Sequence, residues 1–228
     1  MTQDFQPMFV TEWYLPEAPI SSPPQAHSHE RILLPRPRMK GGRPILDVLK
    51  DRSSCRRFRA EPLPQQMVSD LLWSAFGVNR VDTHGRTAPS TENWQEIAIY
   101  VATADGLFLY EPMGHVLIRL LATDIRMQTG LEHADKGAPL VLIYVADFSR
   151  ATDAPEEQKR LYCVANTAFI AENVYLFCAS EGIGTVVRGA INRPLLASAL
   201  RLGENQHVIL AQSVGFPAER LAAVRVEA

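Results

Sequence analysis

The sequence predicts an α+β domain with one long helix at its centre. Three observations carry this. Strand-like and helix-like runs mix without the strict β-α-β alternation of a doubly wound parallel sheet. Residues 138–147 (APLVLIYVAD) and 207–215 (HVILAQSVG) are continuous apolar runs, the pattern of strands buried on both faces. Between them lies the longest helix candidate, about residues 156–181, whose apolar side chains wrap more than one side. The 228 residues fit one generous domain without forcing two. A chain of this length buries about 70–75% of the surface that its unfolded form exposes, so the core needs no staples.

The elements follow in order. Residues 1–44 hold Pro16, Pro19, Pro23, Pro24, Pro35, Pro37 and Pro44, which leave no room for a long helix. Their apolar clusters (Phe9-Val10, Trp13-Tyr14-Leu15, Ile32-Leu33-Leu34) point to an extended arm laid on another surface, ahead of a domain at 45–228. ILDVLKDR, from Ile45, reads as a short helix. Met67, Leu71, Leu72 and Ala75 recur at helical spacing and stop near Gly77. A polar loop, NRVDTHGRTAPSTEN, is followed by EIAIYVATADGLFLY, two β-rich runs around Ala104-Asp105-Gly106 that predict a hairpin. HVLIRLLATDIRMQTG (115–130) is expected to be helical, as is RPLLASALRL after the long helix.

Composition excludes several classes. Lys+Arg 23 against Asp+Glu 25 gives a formal net charge of −2, without the basic excess of a general nucleic-acid binder. No apolar run approaches the roughly 18–20 residues of a membrane span, and MTQDFQP lacks a cationic secretory n-region. Cys55, Cys163 and Cys178 stand far apart, forming neither a disulfide framework nor a zinc site. The expectation is a soluble cytoplasmic protein with neither nucleic acid nor membrane as partner.

Three segments carry chemistry. Arg52 to Arg59 (RSSCRRFR) places four arginines and two serines within eight residues at a helix-to-loop junction. A phosphate dianion takes such groups: guanidinium forks for paired hydrogen bonds, hydroxyls for the remaining lone pairs. A solvated basic turn has the same composition. The loop Arg86 to Gln95 (RTAPSTENWQ) sets hydroxyls and carboxamides beside an indole, a mixture suited to a planar ring with donors and acceptors on its edge. A capped turn over a buried Trp is the plainer reading. In GIGTVVRG (182–189) the order is helix, glycines, strand, the reverse of a dinucleotide-binding turn. Gly182 there reads as a helix stop, and Arg188-Gly189 as a place where backbone can approach a flat ligand. AQSVG around Ser213 falls one residue short of a nucleophile elbow, and His27 and His29 have no third metal ligand nearby.

Taken in order, RSSCRRF, LLWSAFGVNR, RTAPSTENWQEIAIYV, GLFLYEP, the long helix, EGIGTVVRGAI and VGFP resemble the nitroreductase family of flavoenzymes over about residues 40–217. The likeness is closest to its smaller members, including the azoline-oxidising dehydrogenases. The resemblance implies an α+β fold with a mixed β-sheet surrounded by helices, and a homodimer built on the long central helices with two FMN sites shared between subunits. It implies that Arg52 and Ser54 hold the FMN phosphate and that Arg56 faces the pyrimidine end of the flavin. Ser90 and Asn93 would reach the ring from the partner chain, with Gln95 nearby and Pro89 among the cofactor-binding residues. The Val187-Arg188-Gly189 backbone would lie against the ring near N5, and Ser53 completes the set. The implied activity is hydride transfer from NAD(P)H through FMN to a nitro, quinone or similar small molecule. A flavin dehydrogenase, or a flavin-binding or flavin-degrading protein without NAD(P)H turnover, is the alternative. Azoline-oxidising members usually have a Gly near Glu92 and a Pro near Glu96; this chain has neither. Whether Arg220 supplies the family's late phosphate contact stays open.

Overall fold

The run at 138–147 forms β7 (Leu140–Asp147), the middle of the molecule in a computed structural model that describes residues 30–130, 137–151 and 154–219. Trp13, Tyr14, His27, His29 and Arg220 lie outside these residues. β7 pairs with β4 (Ile97–Thr103) and β9 (Gln206–Gly215), and its side chains alternate between two buried layers. Leu140, Leu142 and Tyr144 enter one apolar cluster; Val141, Ile143 and Val145 enter the other. Burial of a side chain such as Leu142 contributes about 1.5–3 kcal/mol.

Around β7 the sheet runs β1-β6-β5-β4-β7-β9-β8, with β1 at Arg31–Leu33, β5 at Gly106–Glu111, β6 at Val116–Leu121 and β8 at Gly184–Arg188. The α+β class is as expected, and β4 and β5 form the expected hairpin, in register at Thr103 and Gly106. Where the family resemblance implied a mixed sheet, every pairing among the described residues is antiparallel. Of the strands that follow one another in the chain, β4 and β5, β5 and β6, and β8 and β9 are neighbours, while β6 to β7 and β7 to β8 cross over other strands.

The segment at 115–130 corrects the sequence reading: it is β6 followed by a single 3-10 turn at Arg126–Thr129, not a helix. Leu and Arg suit either structure, but β6 has a hydrogen-bonding strand on each side, β5 and β1. That tertiary pairing outweighs the local preference. The loop at 79–93 is also less irregular than expected, since β2 (Val78–Arg80) and β3 (Gly85–Arg86) pair within it.

Helices α2 (Gln65–Phe76) and α3 (Glu156–Glu181) cover one face of the sheet, with α1 (Ile45–Asp51) against α3. α4 (Arg193–Leu200) covers the other through Leu196 and Leu200. Its Asn192 cap accepts from the Leu195 N–H at 3.0 Å, a bond of the kind that contributes about 1 kcal/mol. α3 stops where expected, at Gly182, whose φ of 70° is left-handed. By length and composition alone α3 could cross a membrane, contrary to the expectation that no segment would; its Ile170, Val174 and Cys178 are instead buried on the sheet.

Candidate functional site

α1 ends at Arg52, and the chain beyond it turns extended (φ −56°, ψ 121°). The extended strip lies along the free edge of β8, where the Cys55 N–H donates to the Thr185 carbonyl at 2.9 Å. Farther on, the Arg59 N–H donates to Phe216 O and the Ala218 N–H to Arg57 O, both at 2.9 Å, which pins the strip from its other side. The close approach depends on Gly184: a Cβ there would stand 2.7 Å from both Cβ and Sγ of Cys55.

The arginines of this strip divide into two kinds. Arg57 pairs with Glu219 at 2.9 Å, and Arg59 with Glu61 at 3.2 Å. Among the described residues Arg52 and Arg56 make no ion pair. Arg52 rests over the Tyr175 ring, 5.4 Å from its centroid. Ser53 and Ser54 are exposed beside them. Two guanidiniums without a carboxylate and two exposed hydroxyls form a donor set that fits a phosphate dianion.

Tyr175, on α3, joins this strip to β8. Its hydroxyl accepts from the Val187 N–H at 3.0 Å and lies 3.0 Å from Ser54 Oγ. The Arg188 side chain turns away, donating to Thr129 Oγ1 at 2.7 Å, while Gly189 is exposed just past the strand end. The strip at 52–55 and the backbone at 185–187 thus come together.

The loop at 86–95 is built differently. Glu92, Asn93 and Gln95 all have left-handed φ (48°, 53° and 49°), conformations that cost non-glycine residues about 1–2 kcal/mol each. Gln95 over-determines this geometry. Its backbone N–H donates to Ser90 Oγ at 2.9 Å, and its Oε1 accepts from Arg86 Nε at 2.9 Å. Its Nε2 donates to His84 O at 3.0 Å and Asn93 Oδ1 at 2.9 Å. Gln95 is buried and organises the loop, whereas Pro89 and Asn93 are exposed at its surface and Ser90 is half-buried. Arg86 lies over the Phe76 ring, and burial lowers its pKa.

Behind the loop, Asn166 of α3 accepts from the Thr91 N–H (3.2 Å) and Thr91 Oγ1 (3.3 Å) and donates to Glu96 Oε1 (2.9 Å). Burial first, and then the Glu96 carboxylate, pushes the neighbouring Cys163 thiol up to about 12. The loop is therefore moored at Asn166 and the arginine strip at Tyr175, nine residues along one helix. Neither anchor stood out in the sequence, because both lie within an otherwise apolar helix; the available signal was a polar group at a position due for burial.

Residues 49–216 match the family model of the nitroreductase family. The chain belongs to the nitroreductase family. A curated protein of Methanocaldococcus jannaschii named for this family is 31% identical over 180 residues, covering 74% of this chain and 89% of its own. The crystal structure of a Ralstonia eutropha JMP134 protein, also titled a nitroreductase, is 40% identical with a TM-score of 0.81, covering 90% of this chain and all of that one. A chain of the Escherichia coli microcin synthetase McbBCD complex shares the fold at 16% identity, with a TM-score of 0.64 over 89% of this chain and 85% of that one. As a nitroreductase-family chain, the protein is an oxidoreductase of the flavin-dependent kind.

Proposed function

We propose that this chain is an FMN-dependent oxidoreductase that uses NAD(P)H to reduce a nitro, quinone or similar small-molecule acceptor. It does so in the cytoplasm as a homodimer whose two sites are each shared between chains. The observation that carries the reading is the pair of guanidiniums, Arg52 and Arg56, that lack a carboxylate partner among the described residues on a strip fixed to the edge of β8. FMN, when bound, supplies the hydride chemistry. Arg52, Ser53 and Ser54 bind its phosphate. Arg56 places a fixed positive charge at the pyrimidine end, where reduction accumulates negative charge. The backbone from Val187 to Gly189 forms the ledge for the ring, and Pro89, Ser90 and Asn93 of the partner subunit close over it.

The purified protein should be yellow. Cofactor released by denaturation should run with FMN, and anaerobic titration with NADPH or NADH should bleach the flavin spectrum. Recovery of FAD alone, or of no flavin after reconstitution, would overturn the proposal. Bound FMN that neither nucleotide reduces would shift the reading to the dehydrogenase alternative.

A further inference from the structure

Tyr175 is half-buried on α3, yet its hydroxyl serves two segments remote from it in sequence. A phenol has one proton and accepts through its oxygen. The Val187 N–H can only donate, so it occupies a Tyr175 lone pair at 3.0 Å. The Tyr175 proton is then free to be donated to Ser54 Oγ, 3.0 Å away. When it is, Ser54 keeps its own hydroxyl proton free to donate to a ligand. The groups then form a one-way chain: Val187 N–H to Tyr175 O–H to Ser54 O–H to an anion. Hydrogen bonds aligned in one direction polarise and strengthen one another. The same Tyr175 ring carries the Arg52 guanidinium on its face, 5.4 Å from the centroid.

We infer that Tyr175 is a positioning residue for the phosphate of the bound cofactor, its hydroxyl relaying the Val187 amide to Ser54 and its ring seating Arg52. The inference rests on the proposed FMN site and deepens it. The two parts of the side chain separate by substitution. Tyr175→Phe removes the relay and keeps the ring; Tyr175→Leu removes both.

The test measures the affinity of the apoprotein for FMN and for riboflavin, which lacks the phosphate, by fluorescence quenching. Amide hydrogen exchange at Val187 is read in the same apoproteins. Tyr175→Phe should weaken FMN about three- to tenfold, the loss of one hydrogen bond, and leave riboflavin within about twofold. Tyr175→Leu should lower the FMN-to-riboflavin preference further, and both should speed Val187 exchange. Unchanged exchange and an unchanged preference in Tyr175→Phe would overturn the role of Tyr175 while leaving the FMN site standing. Failure of the unsubstituted protein to bind either flavin would overturn the FMN site itself, and this inference with it.

Discussion

Glu92 holds a left-handed backbone at φ 48°, a conformation that favours glycine. A glycine there relieves strain, whereas a β-branched residue adds to it. Glu92→Gly should leave stability unchanged or raise it by up to about 1 kcal/mol, with Glu92→Val less stable than Glu92→Gly by at least about 1 kcal/mol; urea denaturation of the pair measures this. Arg52→Ala should weaken FMN roughly ten- to a hundredfold with little change in folding, since a charge-assisted hydrogen bond contributes about 1.5–3 kcal/mol. Arg56→Ala should instead lower the flavin reduction potential. His115 gives a pH dependence. Its Nε2 meets Ser69 Oγ at 2.7 Å and its Nδ1 the Tyr110 hydroxyl at 2.9 Å, while the Ser69 hydroxyl donates to Pro35 O at 2.5 Å. Burial holds the imidazole below its ordinary pKa of 6.5, against smaller opposing effects of the Pro35 carbonyl and Asp70. The unfolded chain therefore binds the proton more readily, so this contribution is complete above about pH 6.5 and declines as pH falls below it. Stability should fall more steeply between pH 6.5 and 5 in the unsubstituted protein than in His115→Asn, which tolerates the left-handed φ of 51° at that position.

α3 is the element on which the site depends. Its buried stripe (Ile170, Val174, Cys178) fixes it to the sheet, and that fixes where Asn166 and Tyr175 emerge. Asn166 joins Thr91 to the buried Glu96, so Asn166→Ala should cost about 1–3 kcal/mol by leaving Glu96 Oε1 without its donor. It should also speed amide exchange at Thr91, whose N–H bonds to Asn166 Oδ1, with Val187 at the other mooring unaffected. Equal acceleration at both would mean that α3 itself had loosened. At β6 the lesson is the reverse: VLIRLL takes its conformation from β5 and β1 rather than from its own preferences.

At the scale of the molecule, seven of the thirteen exposed large hydrophobic side chains among the described residues lie on α1 and α3. Leu161 is 65% exposed and Phe169 49% on α3, and Leu46 is 76% exposed on α1. Exposed apolar side chains of this kind are what association covers. The proposed homodimer with shared sites has a direct test, because Arg52→Ala and Asn93→Ala damage different chains' contributions to one flavin. Unfolded and refolded together, the two variants should form heterodimers with one intact site in two, recovering tight FMN binding that neither variant shows alone. No recovery, with each variant still dimeric, would place both groups at the same chain's flavin. Dilution should cost fold and flavin together if the dimer is obligate.

The α+β class, β7 and β9, the hairpin at β4 and β5, the four helices and the RSSCRRF strip were legible in the sequence, because local patterning sets them: two-sided apolar runs, helical spacing, Gly77 and Gly182 at helix ends. The family was legible too, from the order and spacing of short motifs, and the family match over residues 49–216 agrees. Three things were decided only in the tertiary structure. One is the strand at β6, where pairing on both edges overrides a helical pattern. Another is the role of Gln95, expected near the ring: its carboxamide binds Arg86, His84 and Asn93 and so organises its own loop. The last is the pair of moorings, Asn166 and Tyr175, whose partners lie 75 and 121 residues away in the chain. Contacts at such separations leave no mark on local periodicity; they exist only once the sheet has brought the segments together.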